Sequence, residues 1–191
     1  MTQRLMTMWW KTSGPADQLD RWLDRNLWAA PGVTIRRYQV EGTTDEHLSW
    51  IEHARGFEAG LSKFQSVLST APASHERFAF DLVLDVGVSP AAPTPWLYIV
   101  HTDIPADIVA DYNAWNDGEH LPRLVTVPGV ARARRYVADD GVSPRYMTAY
   151  DLSIRDAFES PEGLKARKTP WTEKMRALFQ NTRRKMCALA T

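Results

Sequence analysis

Glu119 and His120, adjacent in the chain, offer its clearest acid–base chemistry. An imidazole titrates near neutrality and can take and return a proton at working pH, a role worth roughly 10²–10⁴ in rate. His120 stands at the end of a predicted helix, before a Pro-Gly turn. There its ring can face a cavity or tie the helix end to a sheet. Glu119 points elsewhere, because consecutive helical residues do not share a face. It reads as a surface or capping carboxylate, or as one that orients a catalytic partner. Asp117 reads as the cap of a short helix opening at Gly118-Glu119. Tyr112 and Trp115 share the preceding helical face, where they pack on a sheet or wall a pocket for a flat ligand.

Three strands supply the other candidates. In Trp96–Thr102, alternation puts Leu97, Ile99, His101 and Asp103 on one side and Trp96, Tyr98, Val100 and Thr102 on the other. His101 is a candidate acid or base if its side faces a cavity, and a core histidine otherwise. In the next strand Arg132, Arg134 and Tyr136 oppose Ala131, Ala133 and Arg135. The alanines suit a place under helices, which leaves Arg132 and Arg134 toward another sheet or solvent. A guanidinium in a cavity would hold a carboxylate or enolate oxygen. Tyr146 and Tyr150 share a face of a third strand and can donate phenolic hydrogen bonds. His47, His53 and His75 have no such context.

These elements belong to an internal repeat. Pro31-Gly32-Val33-Thr34-Ile35-Arg36-Arg37-Tyr38 recurs as Pro128-Gly129-Val130-Ala131-Arg132-Ala133-Arg134-Arg135-Tyr136, with one extra residue. A strand at Leu5–Lys11 and a helix from Pro15 to Trp28, with Leu19, Trp22, Leu23 and Leu27 aligned, precede the first copy. The strand at Trp96 and a helix from Pro105, carrying Ile108, Tyr112 and Trp115, precede the second. Leu48-Ser49-Trp50-Ile51-Glu52 then matches Met147-Thr148-Ala149-Tyr150-Asp151. A helix from Phe57 to Leu68, with Leu61 and Phe64 inward, and a strand at Arg77–Val86 finish the first half. In the second half the stretch from Trp171 to Leu189 reads as helix, with Met175, Leu178, Phe179 and Met186 inward and Arg183-Arg184-Lys185 at a solvated end, so no fourth strand is expected there.

The resulting β-α-β-β-α-β order predicts an α+β fold of two tandem ferredoxin-like repeats. Their sheets are expected to close one barrel within the chain. The halves are 1–88 and 96–191, joined by the Pro/Ala-rich linker 89–95.

The segment Tyr112-Asn113-Ala114-Trp115-Asn116-Asp117-Gly118-Glu119-His120-Leu121-Pro122 carries a further pattern. With Val127-Pro128-Gly129-Val130, Ala133-Arg134-Arg135-Tyr136 and Pro144-Arg145-Tyr146-Met147-Thr148-Ala149-Tyr150, it resembles the EthD-like branch of the dimeric α/β barrel superfamily, over roughly residues 96–155. The corresponding first-half stretch, Asp24 to Pro31, has no Glu-His, which implies one active cavity per chain. The resemblance implies a cofactor-independent enzyme: a lyase or cyclase acting on an aromatic or polyketide-like acid. His120, His101 and Tyr150 would be catalytic, and Trp115, Tyr112, Arg134, Tyr146 and Glu119 would hold substrate. The alternatives are cofactor-free oxygenation of a phenol, a ligand-binding or stress-related barrel without turnover, and haem bound through a histidine, since some tandem ferredoxin-like proteins ligate iron that way.

Composition narrows the classes. Lys plus Arg and Asp plus Glu balance at 23 each, so no net field attracts nucleic acid. The lone Cys187 excludes a disulfide framework and a thiolate metal site and suits the cytoplasm. No secretory pattern opens the chain, and no apolar run approaches the roughly 20 residues that span a bilayer. No glycine-rich phosphate loop, nucleophile elbow or H-E-x-x-H helix is present. No cofactor or metal is expected. The partner is a small aromatic molecule, and self-association into a homodimer is left open.

Overall fold

Period-two apolar alternation builds the strands of both halves. The computed structural model describes residues 3–14, 16–26, 33–54 and 66–190. Two units are distinguished, residues 1–81 with 190–191 and residues 82–189, so the division falls within a strand rather than in the Pro/Ala linker.

In the first unit, β1 (Gln3–Thr12) pairs antiparallel with β3 (Glu46–Ala54) and with β4 (Ala73–Gly87), and β2 (Val33–Val40) pairs with β3. The order is β4-β1-β3-β2. One face of β1, Met6, Met8 and Trp10, packs under helix α1 (Ala16–Asn26) against Leu19, Trp22 and Leu23. Leu27, Trp28 and most of the helix expected at Phe57–Leu68 lie outside the described residues.

In the second unit, β5 (Trp96–Asp103) pairs with β7 (Tyr146–Leu152) and with β8 (Gln180–Leu189), and β6 (Val130–Ala138) pairs with β7. The order β8-β5-β7-β6 repeats that of the first unit. The extra residue in the second Pro-Gly repeat has a structural cause. Val130 pairs with Leu152 and Arg132 with Asp151, so Ala131 is a bulge, and the pairing beyond it matches the regular ladder of β2. Two ion pairs recur with it. Arg36 bonds Glu52 at 2.9 Å and Arg134 bonds Asp151 at 2.8 Å; Arg37 meets Asp24 at 2.7 Å and Arg135 meets Asp117 at 2.9 Å.

The C-terminal stretch corrects the sequence expectation. Instead of one helix over Trp171–Leu189, the chain forms α4 (Pro161–Arg167), then α5 (Pro170–Arg176), then strand β8. Thr169 caps α5, and Asn181, at φ 48°, lies at the start of β8 where the register with β5 shifts. Arg, Lys, Met, Ala and Leu favour helix only weakly, and the open edge of β5, whose backbone groups need partners, overrides that preference. The basic run Arg183-Arg184-Lys185 therefore lies on a strand, with alternate residues on opposite faces.

The second unit's helical layer opens with a 3₁₀ turn at Ala106–Ile108, followed by α2 (Val109–Trp115), a π turn (Asn116–His120) and α3 (Leu121–Leu124). Because the helix runs through, Asp117 caps nothing. Its carboxylate accepts from Arg135 instead. No described helix is long and apolar enough to cross a membrane, which leaves strand-built spans aside.

Gly129 ends this layer at φ 93°, with Ser153 N–H donating to its carbonyl at 2.8 Å. A Cβ there would lie 2.7 Å from Ile154 Cβ and 3.1 Å from Ala157 Cβ, whereas a Cβ on Gly42, at φ 78°, would meet nothing. Gly129→Ala is therefore expected to lose about 2–4 kcal/mol, from left-handed strain plus overpacking, and Gly42→Ala only about 1 kcal/mol. Urea denaturation of the two variants, compared side by side, tests this; equal losses would refute the packing role of Gly129.

Candidate functional site

Trp115 and His120 are five residues apart, which on an α-helix leaves them about 140° apart. The π turn removes that separation: Leu121 N–H donates to Asn116 C=O, a five-residue span, and the rings of Trp115 and His120 stack at 4.1 Å and 23°. π turns inside α-helices concentrate at functional sites. Two ties hold this one. Arg135, under the helix as alternation predicted, donates to Asn113 Oδ1 at 2.8 Å and to Asp117 Oδ1 at 2.9 Å. The second is a chain of hydroxyls. Trp115 Nε1–H donates to Thr172 at 3.2 Å, Thr172 and Thr169 lie 2.9 Å apart, and Thr169 donates to Glu119 at 2.6 Å. A hydroxyl has one proton, so Thr172 donates to Thr169 and the chain runs one way, from the indole to the carboxylate. Glu119 thus accepts from Thr169, and the chain connects it to His120 only by way of Trp115.

Between this helix and the sheet is a cavity of about 50 Å³. Tyr112, Trp115 and His120 wall one side, Tyr98, Thr148 and Tyr150 the sheet side, and Phe158 closes it. Arg167, Arg176 and Arg184 line its open side; no carboxylate lines it. Arg176 and Arg184 are exposed and Arg167 half-buried. Arg167 lies 3.4 Å from Glu159, while among the described residues neither Arg176 nor Arg184 has a carboxylate partner.

His120 is 7% exposed, and its Nδ1 is buried without a hydrogen-bond partner. Burial, then the charges of Arg176 and Arg167, push its pKa from 6.5 down to about 3. The ring is neutral at working pH, one nitrogen a donor and the other an acceptor. Burial also pushes the Tyr112 phenol up to about 12 and raises that of Tyr150, so both stay protonated.

Of the eight residues singled out from sequence, the cavity gathers His120, Tyr150, Trp115 and Tyr112. Tyr146 shares their face of the sheet but packs edge-on to Tyr112 at 5.1 Å, outside the lining. His101 and Arg134 lie on the sheet's other face. There His101 is 3% exposed and pushed down to about 4, by burial and then by Arg183, and Arg134 engages Asp151. Tyr98, Phe158 and the three arginines were missed. Alternation would have placed Arg184 beside Met186 on one strand face, had the stretch been read as strand.

A haem does not fit here: about 50 Å³ is well short of the roughly 300–1,000 Å³ that drug-sized and cofactor pockets enclose. Among the described residues no three His, Cys, Asp or Glu side chains gather as a metal site.

No family model matches the chain, and no curated protein matches it in sequence. Solved structures do. An anthrone oxidase-like protein aligns at TM-score 0.68 and 11% identity, covering 98% of this chain and 92% of that one. A proposed monooxygenase from Fusobacterium nucleatum aligns at 0.67 and 10%, covering 100% and 93%. A chlorite dismutase from Candidatus Nitrospira defluvii aligns at 0.70 and 9%, covering 100% and 91%. At such identities the likeness shows the fold alone: α+β, of the dimeric α/β barrel type.

Three depressed histidines, His47, His101 and His120, set a stability signature, the two most buried of them most strongly. Below pH 6.5 the unfolded chain takes protons that folded His101 and His120 refuse, down to about pH 4 and about pH 3 respectively. Stability therefore falls as pH drops, by about 2 kcal/mol for each of these two between pH 6.5 and 5. Urea denaturation at pH 7 and pH 5 is expected to show this loss, and His120→Phe, which keeps the stack on Trp115, to show a smaller one, since His101 and His47 remain. Equal stability at the two pH values would mean that the imidazoles charge freely in the fold.

Proposed function

We propose that this chain is an enzyme with a single small-molecule site, the cavity beside His120, and that it oxygenates a phenolic or enolic substrate without a bound cofactor. The observation that carries this reading is the neutrality of His120. A lyase or cyclase working through that residue needs an imidazole that gains and loses charge near pH 7. Burial and two nearby guanidiniums hold this one far from that range. Oxygenation through the substrate's own anion makes no such demand.

In this scheme the substrate hydroxyl loses its proton to solvent at the open side, and the guanidiniums hold the anion. The anion gives one electron to dioxygen. The two radicals then combine, forming a carbon–oxygen bond and a peroxide anion whose charge the arginines stabilise. His120 hydrogen-bonds the uncharged end of the substrate, Tyr150 donates a hydrogen bond there and keeps its proton, and Trp115 and Tyr112 exclude water. Glu119 acts as a positioning residue through the hydroxyl chain. His101, Arg134 and Tyr146 have a structural part. The names of the solved neighbours, a proposed monooxygenase and an anthrone oxidase-like protein, lend support.

An aromatic ring asks for more room, since cavities that hold benzene measure about 150 Å³. Arg176 and Arg184, exposed and without carboxylate partners among the described residues, swing outward to admit it. The small enclosed volume favours a second reading, a ligand-binding protein without turnover. We also read the two sheets as tandem ferredoxin-like copies and the second as an EthD-like half, on the shared strand order and the paired ion bridges.

An oxygen electrode with a panel of phenolic acids tests the proposal. Oxygen uptake matched to product is expected. So is a pH profile of kcat/KM with no inflection near 6.5, and a 10²-fold or smaller loss in His120→Asn. Full turnover without oxygen would refute it, as would an inflection near pH 6.5 that the variant abolishes.

A further inference from the structure

We infer that the ligand of this cavity is an acid bound as its anion, with the charged end on Arg176 and Arg184 and an uncharged polar end toward His120. This deepens the reading of the same site and rests on it.

Three features converge on that polarity. The first is sign: Arg167, Arg176 and Arg184 line one cavity that no carboxylate lines. Among the described residues only Arg167 of the three has an acidic neighbour, Glu159 at 3.4 Å, and its guanidinium lies 6.0 Å from the Phe158 ring centre. Guanidiniums crowded without counter-charges repel one another, and a bound carboxylate relieves that repulsion while accepting paired N–H donors. The strain is visible at Arg176, whose pKa is lowered by partial burial and then by Arg167 and Arg184.

The second is the inner end. His120 Nδ1 is buried and unpartnered beside aromatic walls. A neutral imidazole there satisfies a hydroxyl or carbonyl, and burying a charge against Tyr150 and Trp115 would cost far more than placing it among the arginines. The third is exposure: the arginines reach solvent and His120 does not. A ligand with one charged and one uncharged end has a single favourable orientation, charge outward.

Salicylate and salicylamide, which differ little except in charge, discriminate this. Isothermal calorimetry at low ionic strength should show salicylate binding at least tenfold more tightly. The preference should shrink with added salt, since exposed charges are screened within about 10 Å at 0.1 M. It should vanish in the Arg176→Gln/Arg184→Gln double variant. Equal binding of acid and amide, binding of neither, or a preference that survives in the double variant would overturn the inference. If the double variant does not fold, the salt titration of the unaltered protein decides alone. Parallel oxygen-electrode runs separate this idea from the one beneath it. Salicylate bound without oxygen uptake from any phenol upholds the acid site and removes the oxygenase. Uptake as fast with neutral phenols as with acids keeps the oxygenase and overturns the acid site.

Discussion

Arg135 rises from the helix-facing side of β6, almost sealed from water, and bonds both Asn113 in α2 and Asp117 in the π turn. A guanidinium so buried must be paired, because removing its partners leaves an uncompensated charge at about 3–5 kcal/mol. That requirement fixes which residues of the helix face the sheet. Asp117, paired with Arg135, lies within the wider turn that brings His120 round onto Trp115. The cavity lies between the helix and the sheet that this charge ties together. The hydroxyl chain through Thr172 and Thr169 then holds the indole at the angle the stack needs.

The same device in the first unit shows what the second has added. Arg37 and Asp24 stand where Arg135 and Asp117 stand, and Arg36 and Glu52 match Arg134 and Asp151. Counting on from Asp24, the place of His120 falls to Leu27. An apolar residue cannot offer a lone pair to a ligand, so the ion pair that both units share is accompanied by an imidazole in the second alone.

Much of this was legible in the residues. Alternation along 96–102, 130–136 and 146–150 grouped the residues by strand face and set Arg135 with the alanines under the helix, but it left open which face of 96–102 meets the cavity, and the Pro-Gly repeat marked both second strands. The extra residue that looked like an alignment gap is a bulge at Ala131. Two features were hidden. A π turn differs from an α turn by one residue of span and leaves no periodicity over five residues, so Glu119-His120 read as a helix end and Asp117 as a cap. The run 180–189 carries helix-favouring residues, and only the need of β5 for a partner strand makes it extended. That misreading removed Arg184 from view, and with it the cationic side of the cavity.

The two ends of the cavity impose opposite protonation preferences, and a ligand must reconcile them. Loss of water disfavours any charge at the inner end, so it lowers the imidazole of His120 and raises the phenol of Tyr150. The positive field at the outer end favours deprotonation of every group, and it therefore adds to the effect on His120 while opposing the effect on Tyr98, whose rise comes from burial against the pull of Arg184, Arg167 and Arg176. An ionisable hydroxyl carried inward stays protonated until it reaches the reach of those guanidiniums. On the proposed reading, chemistry that begins with the substrate's anion would start near the arginines and not beside the histidine, with His120 aligning the substrate and the charged side of the cavity activating it.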